Sequence, residues 1–286
     1  MTAKIIDGDK ISEGIRKNLK KRIDGLRKKG TEPRLDIILV GNNPASEIYV
    51  NKKMQSSKGI GMISEVHRFS EKAKQNEIIE KIDELNADEK VHGILVQIPL
   101  PPHINEQAVL DSISPEKDVD GLTACNLGKL VTDERAELMF EPCTPKGIIR
   151  LLEHEKIPVE GKHAVVIGRS NIVGKPLSFM LLKRNATVTI CHSKTRDLKS
   201  HTKNADILVT AVGKANFVTG DMVKEGAVII DAGISRSGGK VVGDVDFEQV
   251  RKKASRITPV PGGVGPLTVA MVLENTIIAA ERKLRF

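Results

Sequence analysis

This sequence of 286 residues predicts a two-domain α/β protein. Three observations carry that reading. Short β-branched runs alternate with amphipathic helical stretches along nearly the whole chain, which is the pattern of parallel, doubly wound sheets. The length suits two domains of ordinary size, each able to bury its own core. Around residues 120–145 the periodicity weakens between the turn-rich DVDGL and EPCTPKG, and the domain junction is placed there.

In chain order, the amphipathic pattern at 11–29 predicts a helix, and the apolar run at 35–40 a strand. Turn residues at 41–44 lead into a helix over 46–58, followed by a strand at 63–69 and a helix at 75–85. GILVQI at 93–98 reads as a strand whose exit Pro99, Pro101 and Pro102 hold extended, and a helix follows at 105–113. The second half repeats the alternation: helix 145–155, strand 163–167, helix 176–184, then strands at 187–191, 207–210, 227–231 and 256–258. A last helix covers 268–283; it follows Pro266, and the pattern leaves open which domain it packs on.

Hydrophobic content of 40% and charged content of 29% belong to the soluble globular range. The start, MTAKIIDGDK, has no apolar core behind its charges, so it is not read as a secretory signal. No apolar run approaches the ~18 residues of a membrane span. Cys125, Cys143 and Cys191 are odd in number and widely spaced, which suits a reducing cytoplasm and excludes a cysteine zinc site. The net charge of +8 invites a nucleic-acid reading. Much of it sits in one early helix, at Arg16, Lys17, Lys20, Lys21, Arg22, Arg27, Lys28 and Lys29, where a solvated face is the simpler account. Aromatic content is 2%, with no Trp and one Tyr, so stacking platforms are scarce. A positive field would equally gather small polyanions.

HAVVIGRSNIVGKP, residues 163–176, reads as strand, glycine turn and helix start. Gly168 makes the tight turn and Gly174 permits close approach of helix, strand and phosphates, with the helix N–H groups offered to a pyrophosphate. The spacing is G-x-S-x-x-x-G, with Ser170 and Ile172 inside it; alone it serves equally as a glycine-rich turn with no ligand. It is not a nucleophile elbow, because Ile172 takes the place of the second Gly. The next strand ends in HSKT at 192–195, where an NAD enzyme would carry an acid for the ribose diol. Arg169, Ser193 and Lys194 instead suit a 2′-phosphate, so NADP is favoured over NAD. Gly213 and the segment Asp231-Ala232-Gly233-Ile234 close two further strands at the edge where such sheets bind ligands. PVPGGVGP at 259–266, with Pro261 and Gly262 inside it, is either a rigid connector or, by its composition, a ligand-lining loop.

In the first half, Ser46, Tyr49 and Lys53 share one helix face. Taken singly, each has an ordinary reading: a helix cap, a core aromatic, a solvated lysine. A lysine near its usual ~10.4 is a poor base, so catalysis requires burial to lower it. Gln97 interrupts an apolar strand, and a buried amide needs a partner; substrate or Lys53 would serve. Asp118 and Asp120 lie in PEKDVDGL, where Leu127 falls at the place of a calcium loop's Glu, so calcium is rejected. A carboxylate there would instead grip a heterocycle's N–H groups. No cluster has metal-ligand spacing, and no metal is expected.

Together, VQIPLPPHI with PEKDVDGL, and GRSNIVGKP with PVPGGVGP, resemble the bifunctional methylenetetrahydrofolate dehydrogenase/methenyltetrahydrofolate cyclohydrolase family over almost the full chain. The resemblance implies two α/β domains with a cleft between them. One is a folate-binding catalytic domain, 1–142 completed by the helix 267–286; the other is an NADP-binding, Rossmann-like parallel sheet, 143–266. It implies oxidation of 5,10-methylenetetrahydrofolate with NADP and hydrolysis of the methenyl product to 10-formyltetrahydrofolate, in cytoplasmic one-carbon metabolism feeding purine biosynthesis, by a homodimer. By the same resemblance Lys53 is the catalytic lysine, Gln97 holds and tunes it, Tyr49 and Ser46 line the folate pocket, and Asp120 anchors the pterin. Pro261 and Gly262 line the pterin side, and Gly168, Arg169, Ser170, Ile172, Gly174, Ser193, Gly213 and Ile234 meet the cofactor. Gln55, Asp133 and Leu267 depart from common family residues without touching these positions. A monofunctional dehydrogenase is disfavoured by having both Lys53 and Gln97, and a dinucleotide sensor would not need Tyr49, Lys53 and Asp120 together. Neither membrane nor nucleic acid is expected as a partner.

Overall fold

The structure is a computed structural model that describes residues 2–132 and 140–284; Asp133 lies outside the described residues. In chain order it runs β1 (Lys4–Ile5), α1 (Gly8–Arg27), β2 (Arg34–Val40), α2 (Pro44–Ile60), β3 (Ile63–Phe69), α3 (Gln75–Ala87), β4 (Gly93–Val96), α4 (Glu106–Asp111) and α5 (Ala124–Thr132). It continues with α6 (Cys143–His154), β5 (His163–Ile167), α7 (Gly174–Leu182), β6 (Thr187–Cys191), α8 (Leu198–Thr202), β7 (Ile207–Thr210) and β8 (Val228–Asp231). The hairpin β9 (Ser235–Ser237) and β10 (Lys240–Val242), then α9 (Phe247–Val250), β11 (Arg256–Ile257) and α10 (Val264–Lys283), complete it.

Two compact units result. Gly14–Cys143 with Val269–Phe286 surrounds a parallel sheet of order β3-β2-β4. Met1–Glu13 with Thr144–Thr268 surrounds a parallel sheet of order β1-β11-β8-β7-β5-β6. The expected first domain, 1–142, therefore needs a correction at its start. Residues 4–5 form a strand beside β11, with Ile6 donating its N–H to the Ile257 carbonyl at 2.8 Å, so the first 13 residues belong to the six-stranded unit. Two residues are too short to show a period, and their partner lies some 250 positions away, as Lys4 pairs Arg256. From Val269 onward, α10 belongs with the three-stranded unit.

The strand cores obey burial on both faces. β2 holds Leu35, Ile37, Ile38 and Leu39 at 0–1% exposure, and β5 holds Ala164, Val165 and Val166 at 0%. In α1, Leu19, Ile23 and Leu26 face the core while Lys17, Lys20 and Lys21 are exposed, as are Lys28 and Lys29 just past its end; Arg22 of the same charge run is instead half-buried against Glu281. α10 corrects the expectation about apolar runs: its twenty residues are long and apolar enough to cross a membrane by composition. However, 72% of that stretch is buried, with Ala270, Met271, Val272, Leu273, Ile277 and Ala280 inside the three-stranded unit's core. It is read as a core helix, and Glu274 within it lies 3.9 Å from Arg22.

Candidate active site

α2 begins where the turn residues end. Asn43 caps it, its Oδ1 accepting from the N–H groups of Ala45 at 2.9 Å and Ser46 at 3.3 Å, and Pro44 occupies the first turn where no N–H is missed. Ser46 is thus not the cap; it sits inside the first turn, buried. Tyr49 is half-buried, and that burial pushes its phenol above the ordinary range. Lys53, one turn further, is 5% exposed, which overturns the solvated-lysine reading.

Gln97 follows β4, its backbone N–H extending the ladder to the Ile38 carbonyl at 2.9 Å. Its Nε2 donates to the Ile98 carbonyl at 2.8 Å, so Oε1 faces the other way and accepts from Lys53 Nζ at 2.8 Å. An ammonium would be costly to bury here, and burial pushes the Lys53 pKa down; the charge of Asp120, then Cys143, push it back up. Asp120 is drawn the opposite way. Burial raises its carboxyl, Lys53 opposes that rise, and neighbouring Asp118 adds to it. Burial thus biases the amine and the carboxyl toward their neutral forms, while each one's charge pulls the other back toward ionisation.

Sequence spacing did not reveal what holds Asp120. Buried Asp118 accepts from the N–H groups of Gly121 (2.9 Å), Leu122 (3.2 Å) and Thr123 (2.9 Å) and from Asn126 Nδ2 (2.8 Å). The Asp118 carboxylate thus grips its own turn, while the neighbouring Asp120 carboxyl interacts with Lys53 and the Cys143 thiol. Gly121 has φ +71°, and a Cβ there would lie 2.5 Å from the Phe140 carbonyl. Cys143 adds a clamp, its thiol donating to the Val119 carbonyl at 3.1 Å and its N–H to the Asp120 carbonyl at 3.3 Å. Asn275 of α10 donates to the same Val119 carbonyl at 2.9 Å.

In the six-stranded unit the turn from β5 to α7 is made by glycine of necessity. Gly168 has φ +127°, and a Cβ would stand 2.6 Å from the Ala211 carbonyl; at Gly174 it would stand 2.1 Å from the Gly168 carbonyl. Ser170 Oγ accepts from Val173 N at 3.1 Å and tightens the turn; Arg169 and Ser170 are exposed, and Ile172 partly so. β5 and β6 pair Ile167 with Cys191, so Arg169 and Ser193, each two residues beyond, emerge at one sheet edge. Gly213, at φ +66° with open space where a Cβ would sit, follows β7, and exposed Ile234 follows β8. The residues fit a nicotinamide dinucleotide: two glycines leave the groove that a side chain would fill, a helix N-terminus closes it, and the segment 192–196 contains bases and hydroxyls but no acid.

The loop 259–266 belongs to this same unit. Gly262 has φ +98°, and its carbonyl accepts from the N–H groups of Gly8 (2.8 Å) and Asp9 (3.2 Å) at the start of α1, while Pro261 is exposed. Gly8 is required there, since a Cβ would fall 1.8 Å from the Gly263 carbonyl. Spacing gave no hint of that contact. Among the described residues one metal-like cluster, Asp36, Glu65 and His67, forms across β2 and β3. The Arg34 guanidinium already holds both oxygens of Asp36 at 2.8 Å and Glu65 at 3.0 Å, so a cation is present in covalent form.

A dinucleotide-binding parallel sheet in one unit and a buried lysine–amide–carboxyl group in another define an enzyme with nicotinamide-dependent redox chemistry and separate acid–base chemistry. Residues 6–120 match the tetrahydrofolate dehydrogenase/cyclohydrolase catalytic domain, and residues 142–284 match the NAD(P)-binding domain of the same family. The bifunctional protein FolD of Nitrosospira multiformis is 53% identical over 283 residues, covering 99% of this chain and 97% of its own. The FolD methylenetetrahydrofolate dehydrogenase/cyclohydrolase structure from Campylobacter jejuni superposes with TM-score 0.96 at 48% identity, covering 98% of this chain and 99% of its own. The FolD structure from Trypanosoma brucei, complexed with NADP cofactor and inhibitor, gives TM-score 0.95 at 37% identity over 100% of both. The chain belongs to the tetrahydrofolate dehydrogenase/cyclohydrolase family, and it is a bifunctional enzyme of folate one-carbon metabolism.

Proposed function

We propose that the chain oxidises 5,10-methylenetetrahydrofolate with NADP and hydrolyses the resulting 5,10-methenyltetrahydrofolate to 10-formyltetrahydrofolate, with Lys53 as the acid–base group of the second step. The observation that carries this is the buried Lys53 amine on Gln97 Oε1 at 2.8 Å, depressed by burial and tempered by Asp120. Bound here, NADP would supply the hydride acceptor for the methylene carbon; Arg169 and Ser193 would hold its 2′-phosphate, and the turn 168–174 with Gly213 and Ile234 would seat it. Asp120 accepts from the pterin N–H groups, and Ser46 and Tyr49 line the folate ring.

Oxidation needs orientation above all, so the rigid glycine turn is this chain's contribution to it. Hydrolysis needs proton transfers. Water adds to the methenyl carbon and loses one proton, N5 gains a proton as the C–N5 bond breaks, and the carbinol O–H releases its remaining proton to solvent as the formyl C=O forms. Lys53, neutral enough to accept the first and supplied to donate the second, serves both, while Gln97 keeps the amine aimed. The product suits a supply of formyl groups to purine biosynthesis. β3 is an edge strand with Ile63 exposed on it, which supports a homodimer. Three thiols with no disulfide among the described residues suit a reducing cytoplasm.

The test incubates purified protein with 5,10-methylenetetrahydrofolate and either NADP or NAD, following reduced cofactor and 10-formyl product together. Reduction faster with NADP, followed by formyl product, is expected. Reduced cofactor with no product beyond the spontaneous rate would leave a dehydrogenase alone.

A further inference from the structure

The loop after β7 is anchored at its far end by Val218 and Phe217 on the core, while the segments that carry Gly213 and Gly233 at the sheet edge are held from beneath by hydrogen bonds. Two buried carboxylates accept those bonds. Asp244, 0% exposed, accepts four hydrogen bonds from the end of β7 and the loop after it: Oδ2 from Thr210 Oγ1 (3.0 Å), Val212 N (2.7 Å) and Gly213 N (3.3 Å), and Oδ1 from Lys214 N (2.8 Å). Asp231, at the end of β8 and 3% exposed, reciprocates. Its Oδ1 accepts from Gly233 N (2.9 Å) and Asp244 N (3.1 Å), and its Oδ2 from Val245 N (2.9 Å). The fit leaves no spare room. A Cβ on Gly233 would lie 2.1 Å from Asp244 Oδ1, and one on Gly243 would lie 2.0 Å from Asp231 Oδ2.

We infer that Asp244, locked by Asp231, is the positioning residue of the dehydrogenase half-reaction: it shapes the loop 212–214 and the segment 232–234 against which the dinucleotide rests. The inference rests on the assignment of that sheet edge to the cofactor. All seven donors to the two carboxylates are uncharged, and six are backbone N–H groups. The two carboxyl groups are thus used to shape backbone rather than to pair a charge. Asparagine at 244 keeps the volume but turns one acceptor oxygen into a donor facing N–H groups, so part of the loop must turn away.

The hydrolysis machinery does not use this clasp, because Lys53, Gln97 and Asp120 belong to the other unit and are held by Asp118, Cys143 and Asn275. That separation gives a readout that general destabilisation would not produce. Asp244→Asn is expected to raise KM for NADP at least about tenfold, while cyclohydrolase activity on preformed methenyltetrahydrofolate, measured without NADP, stays within about twofold. Should Asp244→Asn fold poorly, Thr210→Val removes a single donor to the same carboxylate at nearly constant shape; it should move KM for NADP in the same direction, by roughly threefold. Unchanged KM for NADP in both variants overturns the inference, as does parallel loss of the two activities in folded protein. A wild-type enzyme that fails to reduce NADP at all would instead remove the cofactor assignment itself.

Discussion

The two units solve opposite problems with opposite means. The three-stranded unit buries chemistry in side chains: an amine, an amide and a carboxyl whose proton affinities are set by burial and by one another. The six-stranded unit exposes backbone and shapes it by leaving side chains out, at Gly168 and Gly174, with Asp231 and Asp244 gripping N–H groups beneath. The difference teaches where each half-reaction is fragile. Hydrolysis should fail when a functional group is altered, and hydride transfer when a backbone is displaced.

The largest effect that would sharpen this contrast is expected at Gly174. Adding a Cβ 2.1 Å from the Gly168 carbonyl must move the turn, and a displacement near 1 Å costs on the order of a hundredfold in rate. Steady-state kinetics of Gly174→Ala should therefore show dehydrogenase activity down by about that factor with NADP affinity reduced, and cyclohydrolase activity largely kept. Comparable loss of both would break the division of labour.

A subtler effect concerns pH. Asp120 holds the Lys53 pKa up against burial, so removing its charge lets the amine fall further. In Asp120→Asn, the limb of the cyclohydrolase pH profile that reports Lys53 should move to lower pH, whatever happens to the rate maximum. Movement to higher pH would contradict the electrostatic account.

The smallest effect is purely structural. Asn43→Ala removes the cap of α2 at a cost of about 1 kcal/mol, visible as a fall of a few degrees in Tm. Both activities should change little below the transition, since neither half-reaction uses the cap directly.

How much of this was legible in the sequence follows from the range of the interactions. β5 and β7 are apolar runs whose burial writes itself locally, β2 is one interrupted only by Asp36, and β6 is marked by its β-branched residues rather than by burial; the bounds of all four were readable almost to the residue. Lys53 and Gln97 were legible as oddities, a lysine on a functional face and an amide in an apolar strand, although their 2.8 Å bond joins residues 44 apart. β1, the hairpin of β9 and β10, and the short helices α5, α8 and α9 were not foreseen, because a few residues show no period. Asp118 was visible but its role was not: which of two neighbouring carboxylates turns inward depends on where the backbone donors end up. Asp244 and Gly8 gave no signal, since their partners are the backbone groups of distant loops.

The account turns on one amine, and Lys53→Met tests it most directly, because methionine fills much of the same buried space without a nitrogen. Both activities should be measured on folded protein with saturating NADP. Cyclohydrolase activity is expected to fall by about 10²–10⁴-fold, the usual contribution of a general acid–base group, while dehydrogenase activity falls far less. Equal loss of the two, or hydrolysis that persists within a few-fold of wild type, would contradict it.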